Sequence, residues 1–141
     1  MALKPITGAE LTKDKSRSFA DVNIAFSKNR FTDDCSKVTN ANAIKQSIKN
    51  LVLTRPGEKL FKSNVGSGVY QRLFEQLDPF TLDTIQGEII NTINQYESRV
   101  QLLSCKLTPF YTAGKVSVTV KYKVVGLPIT ESISFVLQRP S

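Results

Sequence analysis

The chain has 141 residues, of which 40% are hydrophobic and 22% charged, and its formal net charge is +7. That composition suits one globular domain with its own core and excludes a wholly disordered chain. With no histidine and only Cys35 and Cys105, it also excludes histidine triads, histidine-ligated zinc, a disulfide framework and a four-thiolate metal site. No apolar run approaches the length of a membrane span, and residues 1–10 lack the apolar centre of a secretory signal. The default expectation is a cytosolic domain without cofactor or metal. Residues 1–62 carry 12 Lys and Arg against 6 Asp and Glu, whereas residues 63–141 carry 7 against 6, so the basic excess sits in the first half. Those cations are scattered singly rather than interleaved with aromatics. Solvated surface charge therefore outranks a basic nucleic-acid-binding module, whose retention on polyanions would fade at moderate salt.

In chain order, residues 1–18 are polar and aperiodic and read as an arm. Phe19 follows, then Val22, Ile24 and Phe26 alternate with polar or small residues, which predicts a short strand at an edge or donated to a neighbour. Residues 28–41 have loop chemistry. From Asn42 the period becomes helical, with Ile44, Ile48, Leu51 and Val52, and the helix ends near Thr54 before Pro56-Gly57. Lys59 to Gly68 reads as loop, with a helix start at Ser67. Val69 to Gln76 reads as a short helix turning Leu73, Phe74 and Leu77 inward. Asp78-Pro79 or Thr81 opens a long helix whose face holds Leu82, Ile85, Ile89, Ile93 and Tyr96.

The last third turns to period two. Val100, Leu103, Cys105 and Leu107 predict a strand with one irregularity. Val116, Val118, Val120, Tyr122 and Val124 alternate with polar residues, and Ile133, Phe135 and Leu137 form a last inward face. Ala113-Gly114 and Gly126-Leu127-Pro128 close the intervening hairpins. The fold class is α+β: helices on one face of a small antiparallel sheet, a C-terminal three-strand meander with the N-terminal strand as a further edge. Residues 1–41 form the arm and edge strand, and 42–141 the main domain.

A search for chemistry returns little. Glycoside hydrolysis needs two carboxylates, one with a raised pKa, and Glu58, Glu75, Glu88, Glu97 and Glu131 show no pairing by spacing. Arg99 beside Glu97 would lower that pKa, the wrong direction for a general acid. Asp33-Asp34-Cys35 lacks further metal ligands, and Gly66-Ser67-Gly68 lacks the lysine of a phosphate cradle. Cys105 reads as a buried hydrophobe and Cys35 as an exposed loop residue, neither placed as a reactive thiolate.

Two segments stand out instead. Arg55-Pro56-Gly57-Glu58 makes a tight reversal directly after a helix, and Glu97-Ser98-Arg99 sits where the long helix meets the sheet. The charge pair could cap the helix, or Arg99 could grip a partner, on the expectation that its own chain has no special need of a cation there.

With Ile44 to Ile48, Leu53 to Lys59, Asn64 to Ser67, Leu73 to Glu75 and Glu97 to Val100 in this order, the chain resembles the contractile-tail baseplate wedge family. That family takes in the T-even wedge subunit once labelled a lysozyme, P2-like tail protein W and the TssE subunit of type VI secretion. The likeness runs from about Asn42 to the end of the meander. It implies a structural subunit of the virion tail baseplate, assembled in the host cytoplasm, and no enzyme. The implied partners are the helical core bundle of the other wedge subunits and the tail sheath protein, whose first ring would be seeded by extension of the sheet. Nucleic acid, membrane and small-molecule substrates are not implied, and the competing label is a peptidoglycan-cleaving enzyme. The partner-binding residues are then Glu97, Ser98 and Arg99 with Arg55, Pro56, Gly57 and Glu58. The family usually has proline where Ser98 stands, which leaves this turn looser while both charges remain.

Overall fold

A computed structural model describes residues 19–139; the arm predicted over residues 1–18 lies outside them. The order is β1 (Ala20–Val22), β2 (Lys37–Thr39), α1 (Ala41–Leu53), α2 (Val69–Arg72), α3 (Pro79–Tyr96), β3 (Val100–Phe110), β4 (Lys115–Val124) and β5 (Thr130–Gln138). β3, β4 and β5 form an antiparallel meander in that order, and the helices cover one face of it. The fold is α+β.

Burial of one face explains both periodicities. Along β4, Val116, Val118, Val120, Tyr122 and Val124 are buried, and opposite them stand Ile44, Ile48 and Val52 of α1 and Ile85, Ile89 and Ile93 of α3. Asp78 starts α3, its Oδ1 accepting from the Thr81 N–H at 2.6 Å, and Pro79 follows at the first helical position. That bond holds the Asp78 carboxyl below its ordinary pKa. Burial pushes the Cys105 thiol up to about 11, so the thiol stays protonated, and Cys35 is exposed.

The structure corrects several expectations. The register of β3 shifts between Leu102 and Ser104, so Leu102 and Cys105 turn inward while Leu103 is exposed. α2 is a single turn, and Phe74 beyond it is exposed rather than inward. Ser67 precedes that turn, where Gly68 is the cap; the Ser67 hydroxyl donates instead to the Val52 carbonyl. The N-terminal strand does not extend the meander: β1 pairs with β2 in a separate two-stranded ribbon, within a stretch that read as loop beyond Phe26. Ile24 and Phe26 lie outside β1 and are exposed. Gln46 of α1 holds the ribbon, donating to the Val22 carbonyl at 2.7 Å and accepting from the Ile24 N–H at 3.3 Å.

Ile89 is completely buried between α1 and the sheet. Ile89→Ala should cost about 2–5 kcal/mol in urea unfolding, and Ile89→Asp, which puts a charge in the core, should leave no cooperative melt in circular dichroism. A parent-like melt of Ile89→Asp would mean that α3 turns a different face inward.

Candidate partner interface

α3 ends at Tyr96, and Glu97 leaves the helical region with φ −115° and ψ 85°. Its side chain turns back under the junction and is only 5% exposed. A carboxylate there needs partners, because an unpaired buried charge costs several kcal/mol. Arg99 supplies a two-pronged answer, Nε donating to Oε1 at 2.6 Å and Nη2 to Oε2 at 2.7 Å. Ser47, half-way along α1, donates its hydroxyl to Oε2 at 2.7 Å. One carboxylate thus joins the middle of α1, the end of α3 and the entry to β3. Burial opposes ionisation of Glu97, yet the Arg99 fork and Ser47 outweigh it and hold the carboxyl below its ordinary value.

Arg99 is fixed from other sides as well. Its guanidinium lies 5.2 Å from the Phe19 ring centroid, and its carbonyl accepts from the Val125 N–H at 2.9 Å. The expectation that its own chain has no special need of this cation is therefore corrected, because Glu97 consumes most of the fork. About a third of the Arg99 side chain remains exposed, beside an exposed Ser98. Glu97 itself is not surface; it positions what the surface presents. Ser98 stands where proline would enforce a non-helical Glu97, and the ion pair already holds Glu97 in such a conformation.

The second segment, Arg55 to Glu58, is exposed throughout. Glu58 Oε2 accepts from the Arg55 N–H at 2.9 Å, and the Arg55 guanidinium lies 4.8 Å from the Tyr70 ring centroid. Gly66 passes so close beneath this turn that a Cβ there would sit 2.7 Å from the Thr54 carbonyl oxygen, which restricts the position to glycine. Tyr96, the last residue of α3, donates its hydroxyl to the Asn64 carbonyl and ties the loop to the helix that leads into Glu97. The two segments are thus linked through α3. Val22, Ile24, Phe26, Asn50, Leu53, Thr54 and Glu58 line an open apolar groove of about 700 Å³ beside the turn.

Charge is also divided between the two faces of the sheet. The acidic side chains after residue 62 lie on the helical side, and Glu131, opposite the buried Tyr122, pairs there with Lys45 of α1 at 2.8 Å. Lys106, Lys115, Lys121 and Lys123 share the helix-free face of the sheet, and none is in an ion pair among the described residues. Lys121 and Lys123 lie two apart on one strand, and Lys106 is diagonal to Lys121. The signal was present in the odd-numbered lysines of β4, once that strand's inward phase is known. Among the described residues, no group of three or more His, Cys, Asp or Glu gathers as a metal site, and no helix is long and apolar enough to cross a membrane.

Residues 38–128 match the family model for baseplate wedge protein gp25. The baseplate wedge protein gp25 of Enterobacteria phage T4 is 28% identical over 95 residues, covering 67% of this chain and 72% of that protein. A Geobacter sulfurreducens protein labelled a tail lysozyme superposes with a TM-score of 0.64 at 24% identity, over 70% of this chain and 89% of that one. A chain of the anti-feeding prophage baseplate gives 0.60 at 18% identity, over 88% of both chains. A chain of the postcontracted pyocin R2 baseplate gives 0.57 at 16% identity, over 71% and 98% respectively. At these identities the structures share the fold.

Because the folded pKa of Glu97 is depressed, its stabilisation is present above the ordinary value of 4.5 and is lost as pH falls through the lower folded value. Glu97→Gln should cost roughly 3 kcal/mol near neutral pH, the low end for a broken buried pair because Arg99 is partly solvated. The gap to the parent should shrink as the pH falls below 4.5 and through the lower folded value. Urea unfolding at several pH values checks this; a gap independent of pH would mean the carboxylate charge contributes nothing.

Proposed function

The chain belongs to the gp25 family of baseplate wedge proteins, structural components of contractile tails, and from that premise we propose that it docks on the helical core bundle of the other wedge subunits and seeds the first sheath ring. The observation that carries the docking is the junction at the end of α3, where a buried Glu97 holds Arg99 in one orientation beside an exposed Ser98. A braced guanidinium loses little conformational freedom on binding, and its unused N–H groups can reach carboxylates or carbonyls of a partner helix. Arg55 to Glu58, exposed and tied to the end of α3 through the Tyr96 bond to Asn64, provide a second contact.

The seeding rests on the free edge of the sheet. β5 is an outer strand of nine residues with no proline and a single charge, Glu131, whereas the opposite edge strand, β3, carries Pro109 and Lys106. An edge left this plain is open to pairing with an added strand. Chain ends of the sheath protein are the strands it would receive, in a baseplate assembled in the host cytoplasm.

The lysozyme label carried by the Geobacter relative does not transfer well. Hydrolysis requires a carboxylic acid kept protonated, and Glu97, the buried carboxyl at the centre of this junction, is driven toward its ionised form. Homogeneous protein should leave a peptidoglycan suspension turbid.

Arg99→Ala is a poor probe of docking, because it strips the buried Glu97 of its counter-ion and weakens the fold. Ser98→Trp is better: it adds bulk at an exposed position and leaves the ion pair in place. Its melting temperature should match the parent, while its incorporation into wedge complexes reconstituted from the other purified subunits should fall at least about tenfold, a loss of 1.4 kcal/mol or more. Parent-like incorporation by Ser98→Trp would remove the junction from the interface.

A further inference from the structure

Loop 57–63 carries two apolar side chains that the fold does not use. Leu60 is 81% exposed and Phe61 fully so. Phe61 also sits at φ +66°, in the left-handed region that a bulky residue occupies only at a cost. Nothing in the described core repays that cost, since Phe61 packs against none of it. The base beneath is nonetheless tightly built. The Gly57 N–H donates to the Ser63 carbonyl at 2.7 Å and closes the loop, while Ser67 N–H donates to the Thr54 carbonyl at 2.9 Å. The close passage of Gly66 and the Tyr96 bond to Asn64 add to this frame. Lys59 and Lys62 flank the tip, and neither is in an ion pair among the described residues.

We propose that Leu60 and Phe61 form a rigid anchor that inserts into an apolar pocket with an acidic rim on a neighbouring baseplate protein. The two side chains supply the apolar area, as the buried anchors of protein interfaces do. The strained, framed backbone fixes them before binding, so little ordering is lost when they enter the pocket. The lysines on either side call for carboxylates at the pocket mouth, which selects a protein partner of that chemistry. A lipid surface and a second copy of this chain are the competing occupants. The inference rests on the wedge reading and extends it from the Arg55–Glu58 turn to the tip beyond.

The strain gives the test a signature that a merely exposed loop would not give. Phe61→Gly should raise the melting temperature by roughly 1–3 °C, because glycine accepts the positive φ freely. The same variant should incorporate at least about tenfold less well into wedge complexes reconstituted from the other purified subunits, since a buried aromatic anchor is lost. Leu60→Ser should melt like the parent and show a similar loss, and Lys59→Glu with Lys62→Glu should weaken incorporation most at low salt. Parent-like incorporation by Phe61→Gly, alongside a loss in Ser98→Trp, would overturn the anchor and leave the wedge reading intact. If the parent itself fails to incorporate, both fall. Flotation with phosphatidylglycerol vesicles that Phe61→Gly abolishes would assign the tip to a membrane instead. Sedimentation equilibrium showing a parent dimer that Phe61→Gly dissolves would assign it to a second copy.

Discussion

A single buried carboxylate decides the geometry of this domain. Glu97 stops α3, and its two oxygens are satisfied by Arg99 two residues later and by Ser47 fifty residues earlier. The hydrophobic core gives α1, α3 and the sheet their mutual attraction, but area alone is non-directional. The charge-assisted bonds to Glu97 specify how the last turn of α3 hands over to β3 and where α1 lies against that corner. Removal of one partner leaves the other charged and poorly hydrated, so the three groups stand or fall together.

The same bonds prepare a surface. A solvent-exposed arginine samples many rotamers, and fixing it on binding is costly. Here that ordering is complete on folding, with Phe19 beneath the guanidinium and Val125 holding the backbone. The loop after α1 repeats the pattern: Gly66, Ser67 and Asn64 fix a frame from which Arg55, Leu60 and Phe61 project. The sheet adds a helix-free face with four lysines and a plain outer strand. Each is a preformed element set on a stiff support, in a member of the baseplate wedge family.

Much of the framework was legible because burial imposes a period. The spacing of Leu82, Ile85, Ile89 and Ile93 could belong only to a helix with one inward face, and the strict alternation along β4 only to a half-buried strand. The bulge at Leu103 was visible as an irregularity, but its consequence was not, because an extra residue reverses the inward phase and both Leu102 and Leu103 are apolar. β2 spans three residues, too few to display a period, so its pairing with β1 could not be read. At the junction the opposite charges of Glu97 and Arg99 were plain, whereas their burial depends on Ser47, whose proximity is a property of the packed helices. Leu60 and Phe61 read as loop residues, since local sequence carries no record of whether an apolar side chain in a turn finds a neighbour.

Coupling between the two charges can be read from urea unfolding, near neutral pH, of the parent, Glu97→Gln, Arg99→Met and the double variant. If the buried pair holds the corner of the fold, each single change is costly and the double costs little more than either one. The coupling energy should then be at least about 1.5 kcal/mol. Additive costs, with a coupling below about 0.5 kcal/mol, would contradict it and reduce the pair to an ordinary surface contact.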